Sequence, residues 1–129
     1  MLSIPISPGE LLDKISILEI KADRIVDPVK QANVRSELAL LSSVQNTLPQ
    51  SSELAVLAAE LKAVNERLWD VEDAIRECDR RADFGREFVH LARSVYIEND
   101  RRAALKRRVN ELLGSQLIEE KSYAKRNGE

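Results

Sequence analysis

The longest regular hydrophobic pattern lies in the middle of the chain, where apolar residues recur at alternating spacings of three and four over about four heptads. These residues are Leu54, Leu57, Leu61, Val64, Leu68, Val71, Ile75, Cys78 and Ala82. The pattern predicts one long helix over about 53–82, with an apolar seam too narrow and too long for an isolated surface helix. A short turn at 83–85 then predicts that a helix over about 86–113 packs back against it.

Two shorter helices are predicted before this hairpin by their capping residues. Ser7 can accept a hydrogen bond from the amide of Glu10, and the proline after Ser7 suits the first helical position, so a helix is expected over about 8–26. Asp27 is likewise followed by proline, which predicts a second helix over about 28–46.

Together these elements predict an all-α fold in a single domain over 1–129. We expect four helices in an up-down bundle dominated by the long antiparallel hairpin, with a short extended arm over 1–7 and a polar tail over about 115–129. The first two helices are much shorter than the hairpin and cannot cover it. A second copy of the chain is the natural cover, so we predict a homodimer.

Composition narrows the classes of function. The chain is 43% hydrophobic and 33% charged, with a net charge of -2, which does not favour nucleic-acid binding. It has one Cys and one His, so neither a disulfide nor a metal site is expected, and we expect no cofactor and no catalytic residue. No apolar run approaches the length of a membrane span, which favours a cytoplasmic protein that does not bind membranes.

The fourth predicted helix carries polar residues where its seam should be apolar. The seam is apolar near Phe88 and near Val109, but Asn99, Arg102 and Lys106 occupy its middle. At 100° per residue these polar side chains point the same way as the neighbouring apolar ones. A buried Arg or Lys without a partner costs on the order of several kcal/mol. The patch is therefore paired, open to solvent or bound to an anion.

Polar residues beside the other seams could complete such a site. Glu72 on the third helix is the expected counter-charge for Arg102 or Lys106. The candidate residues of an anion pocket are Lys14, Lys21, Asn65, Glu72, Asn99, Arg102 and Lys106. Trp69 and Tyr96 are candidates for ligand stacking or for an interface. The competing interpretation is a network of interhelical salt bridges that sets the register of the helices.

Three stretches of the sequence carry a resemblance to a known family. The first is SPGELLDK (7–14) with ILEIK (17–21). The second is LKAVNE (61–66) with LWDVED (68–73), and the third is NDRRAALK (99–106) with EKSY (120–123). With these motifs the chain resembles a family of small bacterial all-helical proteins of unknown function. The resemblance covers nearly the whole chain. It implies a bacterial cytoplasmic protein and an association with glycosyltransferase and surface-polysaccharide functions.

Two functions of different classes follow. The first is a non-catalytic interaction or assembly protein that acts through its helix faces on another bacterial protein, such as a polysaccharide-pathway enzyme. The second is a protein that binds a small carboxylate or phosphate, or a mutase-like enzyme. The second is similar at the level of fold to the all-helical chorismate mutases, which bind a dicarboxylate between long helices. Neutralisation of Arg102 and Lys106 by protein carboxylates would favour the first, and a solvent-reachable cationic pocket the second.

Overall fold

The computed structural model describes residues 1–115 of the chain. Within them lie four helices, α1 (Pro8–Arg24), α2 (Pro28–Gln45), α3 (Ser52–Arg80) and α4 (Arg86–Leu112). The all-α, four-helix fold is confirmed, and each helix end falls within two residues of its predicted position. The predicted polar tail lies outside the described residues, except for its first position.

Side-chain caps begin the first three helices, including the two predicted at Ser7 and Asp27. Side-chain oxygens of Ser7, Asp27 and Ser51 each accept a hydrogen bond from the amide three residues further on, at 3.2, 2.9 and 3.1 Å. Each cap satisfies one of the amides that a helix leaves unpaired at its N-terminus. Before α1, the arm has no helix, and Leu2 and Ile4 are exposed.

The main core lies at the end of the hairpin where α3 begins and α4 ends. There α1 packs against both long helices, parallel to α3 and antiparallel to α4: Gly9 contacts Asn110, and Arg24 contacts Asp70. The buried residues of this core are Leu12, Leu54, Leu57, Leu61, Val64, Leu105 and Val109. The predicted seam of α3 therefore forms a core over its first half.

Helix α2 packs on the other side of α1 and contacts no other described helix. Its Val34 joins Leu18 and Ala22 of α1 in a second, smaller core. Because α2 covers one side of α1 and the hairpin covers the other, α1 is the central helix, and it is buried over most of its circumference. This position brings polar residues of α1 into the interior.

Most of the far half of the hairpin is not covered by α1 or α2. Helix α3 has 29 residues and is about 43 Å long, whereas α1 has 17 residues and is about 26 Å long. We call residues 66–97, which span the α3–α4 turn, the distal hairpin; Cys78 is the one buried residue in it. No helix within residues 1–115 is both long enough and apolar enough to cross a membrane.

Candidate functional site

A buried carboxylate and a partly exposed guanidinium connect α1 to α4. Arg102 donates from Nε to Asp13 Oδ1 at 2.8 Å and from Nη2 to Asp13 Oδ2 at 2.5 Å. The Asp13 side chain is 0% exposed and that of Arg102 is 30% exposed. Two parallel hydrogen bonds of this kind fix the plane of a guanidinium as well as its position.

Asn65 and Ser16 complete the hydrogen bonding around Asp13. Asn65 Nδ2 donates to Asp13 Oδ1 at 2.9 Å and lies 2.7 Å from Ser16 Oγ, which itself donates to the Asp13 carbonyl oxygen at 2.7 Å. Within residues 1–115, no buried side-chain nitrogen or oxygen lacks a hydrogen-bond partner. With Arg102, the network joins α1, α3 and α4 and orders all four of its side chains.

A second ion pair lies one turn along α4. The Lys106 ammonium is 2.7 Å from Glu10 Oε2, and the Lys106 side chain is 8% exposed. Beside it, the Gly9 amide donates to Asn110 Oδ1 at 2.8 Å. A Cβ on Gly9 would lie 2.4 Å from the Lys106 carbonyl oxygen, so this close contact of α1 with α4 requires glycine.

Beyond this network, α1, α3 and α4 enclose an open groove of about 630 Å³. Its lining residues are Ile17, Ile20, Lys21, Asn65, Leu68, Trp69, Glu72, Asp73, Arg76, Val95, Asn99 and Arg102. The α3 residues among them recur at helical spacing and form one face, beginning at Asn65 and ending at Arg76. The groove has apolar and aromatic walls together with charges of both signs. We call it the Trp69 groove.

The structure brings most of the predicted site residues together. The residues that line the Trp69 groove are Lys21, Asn65, Trp69, Glu72, Asn99 and Arg102. Three others do not line it: Lys14 is exposed, Lys106 is buried against Glu10, and Tyr96 is exposed on α4. Whether the groove binds an anion stays a prediction.

The predicted partner of the inward cations is wrong. Glu72 is exposed and pairs with Arg76, four residues along the same helix, at 3.6 Å. Arg102 pairs with Asp13 and Lys106 pairs with Glu10, both from α1. Because α1 lies between the long helices, its carboxylates are closer to these cations than Glu72 is.

Asp13 and Ser16 were not among the predicted site residues. A signal for them exists in the sequence, because apolar residues of α1 occur on more than one face, at Leu11, Leu12 and Ile17. A helix that is apolar on several faces is buried on several faces. An aspartate inside such a helix then requires a partner in the core.

Trp69 is held at the edge of the groove by its neighbours. The Arg24 guanidinium lies 5.8 Å from the centre of the indole ring, within range of a cation–π interaction. Arg24 also pairs with Asp70 at 2.5 Å, and this carboxylate raises the pKa of the Arg24 guanidinium above its ordinary value. These contacts tie the end of α1 to α3 beside the ring.

The opposite face of the hairpin carries another ion cluster that the sequence did not indicate. Glu98 is buried and accepts from Arg67 Nε at 3.1 Å and from Arg101 Nη1 at 2.7 Å. Arg67 lies on α3 and Arg101 on α4, so Glu98 bridges the two long helices through its partners. No group of His, Cys, Asp and Glu within residues 1–115 could hold a metal ion.

The fold and the site define a class: an all-helical protein whose central helix is joined to a long hairpin by buried ion pairs beside an open groove. The chain matches the model of a family described as "Family of unknown function (DUF6165)" over residues 2–127, and it belongs to that family. No curated protein and no solved structure matches it.

Proposed function

We propose that the protein is a non-catalytic assembly protein whose distal hairpin pairs with a second copy of the chain. The observation that carries the proposal is the exposure of the distal hairpin. Its seam residues Leu68, Val71 and Ile75 on α3 are only partly buried, and Phe84 at the turn is 55% exposed. An apolar seam of this length is characteristic of a helix that packs against further helices.

The partly buried seam continues directly from the buried one. In the first half of α3 the same three-and-four spacing is covered by α1 and lies in the core, at Leu57 and Leu61 for example. Two copies related by a two-fold axis would cover the second half in the same manner, with each hairpin packed on the other. This continuity supports a helical partner.

The charges of the two long helices support a second copy as that partner. Helix α3 carries eight acidic and four basic residues, whereas α4 carries four acidic and seven basic residues. In a two-fold arrangement, α3 of each copy can lie beside α4 of the other, so that opposite net charges face each other twice. A symmetric dimer of this kind is complementary to itself without any other protein.

The pairing of the inward cations supports assembly over catalysis. Asp13 and Glu10 already neutralise Arg102 and Lys106. A catalytic pocket in which a substrate took the place of these two carboxylates would have to break both pairs, and each pair includes a buried charge. The ion pairs are instead suited to fixing α1 against the hairpin, so that the distal hairpin is held in one geometry.

We also propose a bacterial, cytoplasmic setting beside surface-polysaccharide enzymes, on the basis of the sequence resemblance. Tagged protein isolated from a bacterial lysate, with its copurifying proteins identified, tests this setting. We expect to recover the protein in the cytoplasmic fraction together with a glycosyltransferase. We expect a distal-hairpin variant no longer to copurify with that glycosyltransferase. Recovery from another compartment contradicts the proposal.

Light scattering tests the dimer directly. At about 100 µM the protein is expected to have twice the 14.6 kDa mass of one chain, and to dissociate on dilution. The variant Val71→Glu places a charge in the partly buried seam and is expected to give the monomer mass. The matched control is Val56→Glu, the same change on the same helix at a residue that is 54% exposed outside the seam.

Each outcome is decisive. A wild-type mass of one chain at about 100 µM overturns the proposal. So does a Val71→Glu variant that is as dimeric as the wild type, because the interface would then lie elsewhere. If residues 116–129 or another protein cover the distal hairpin in place of a second copy, the wild type is monomeric at every concentration.

A further inference from the structure

We infer that the Trp69 groove binds a small anion that carries a planar ring. The inference goes beyond assembly: the groove shares Leu68 with the seam of the proposed dimer, but Val71 and Phe84 do not line it. It combines the shape of the groove, the aromatic side chain at its edge and two of the three cations that line it.

The size and the apolar lining of the groove fit a small molecule. Its volume of about 630 Å³ lies within the range of about 300–1,000 Å³ that is usual for ligand sites. Ile17, Leu68 and Val95 come from three different helices and supply apolar walls. The indole of Trp69 adds a flat surface on which a planar ring can stack.

Arg102 and Lys21 supply the positive charge. Asp13 holds the guanidinium of Arg102 in a fixed orientation, so a ligand that meets it does not have to order the side chain. Lys21 lies on α1 and is partly buried; it forms no ion pair with any of residues 1–115. The two side chains can therefore attract a phosphate or a carboxylate into the groove.

Two carboxylates further limit the chemical class of the ligand. Glu72 and Asp73 line the groove from α3 and are exposed. They would repel a ligand with several negative charges and would accept hydrogen bonds from hydroxyl or amino groups. The ligand class is thus a planar ring with one anionic group and with hydrogen-bond donors, as in a nucleoside monophosphate or a hydroxyaryl carboxylate.

Tryptophan fluorescence reports on the groove directly, because Trp69 is the one tryptophan of the chain. The probes are adenosine 5′-monophosphate and 4-hydroxybenzoate, titrated separately while tryptophan emission is recorded, and repeated by calorimetry. We expect a saturable change in emission with at least one of them. Adenosine and phenol, which lack the anionic group, are expected to bind about tenfold more weakly, since a hydrogen bond to a charged group contributes about 1.5–3 kcal/mol.

Matched lysine variants assign the site. Lys21→Met keeps the length of the side chain and removes its charge, so it should weaken binding by about tenfold. Lys14→Met is the same change two turns earlier on α1, at an exposed residue that does not line the groove, and it should leave binding unchanged. Circular dichroism of both variants checks that α1 remains folded.

Three results overturn the inference. The first is the absence of saturable binding of either probe up to about 10 mM, a concentration that corresponds to a binding free energy of only about -3 kcal/mol. The second is equal binding of the charged and neutral probes. The third is equal weakening by Lys14→Met and Lys21→Met. Repeating the titration with Val71→Glu separates this inference from the proposed dimer, because the groove lies within one copy.

Discussion

Asp13 and Arg102 are 89 positions apart in the chain, and two parallel hydrogen bonds join them between α1 and α4. Their environments differ: the Asp13 side chain is completely buried, whereas the Arg102 guanidinium reaches the Trp69 groove. The pair therefore has two effects. It attaches the central helix to the hairpin, and it fixes an arginine at the surface of the groove.

Removal of Arg102 should destabilise the fold strongly. Arg102→Met leaves the buried carboxylate of Asp13 without its counter-charge, and we expect the free energy of unfolding to fall by about 3–5 kcal/mol. Urea unfolding followed by circular dichroism measures it. The double variant Asp13→Leu, Arg102→Met removes both charges and should recover more than half of the loss. A double variant less stable than Arg102→Met would contradict this account.

The Glu10–Lys106 pair should respond asymmetrically to mutation. The Lys106 side chain is 8% exposed and that of Glu10 is 38% exposed. Glu10→Gln removes the carboxylate from a buried ammonium and should cost about 2–3 kcal/mol. Lys106→Met leaves a carboxylate that water can reach, and should cost less than about 1.5 kcal/mol. Thermal unfolding of both variants measures the difference, and equal losses would show that burial does not control it.

Gly9 should not tolerate a side chain. Alanine at this position would place its Cβ 2.4 Å from the carbonyl oxygen of Lys106, and α1 would have to move away from α4. We expect Gly9→Ala to lower the free energy of unfolding by about 1–3 kcal/mol, as overpacking usually does. Gly85→Ala is the control, since its Cβ would lie 3.4 Å from the nearest side-chain atom. A Gly85→Ala variant as unstable as Gly9→Ala would remove the steric explanation.

Cys78 should report the opening of the distal hairpin. It is the one cysteine of the chain and is fully buried, although the seam residues around it are not. A thiol reagent such as DTNB should label it at least on the order of tenfold more slowly than in urea-unfolded protein, because labelling requires local opening. The monomeric variant Val71→Glu should label faster than the wild type. Labelling of native protein at the unfolded rate would contradict the burial of Cys78.

Much of the fold can be predicted from local patterns in the sequence. The caps at Ser7 and Asp27, the seam of α3 and the turn at 83–85 predict all four helices, since each depends on residues within a few positions of one another. The sequence also indicates Asn65, Trp69 and Glu72 of α3 as candidate site residues. The structure places all three in the Trp69 groove.

The ion-pair partners of the charged residues could not be predicted from local sequence patterns. Glu72 is a reasonable counter-charge for Arg102 when only the packing of α3 against α4 is taken into account. The placement of α1 between them changes the choice, because Asp13 then lies within hydrogen-bond distance of Arg102, and Glu72 faces Arg76. An ion pair depends on a separation of a few ångströms, and helices far apart in the chain set that separation.

The sequence by itself determined where the helices begin and end, which face of each is apolar, and that cations enter the seam of α4. These properties follow from backbone hydrogen bonding and side-chain periodicity along a short stretch of chain. The tertiary structure alone decided that α1 is the central helix, that Asp13 and Glu10 neutralise Arg102 and Lys106, and that a groove opens beside Trp69. These properties depend on how complete helices pack, which is settled by the sum of many contacts between residues distant in the sequence.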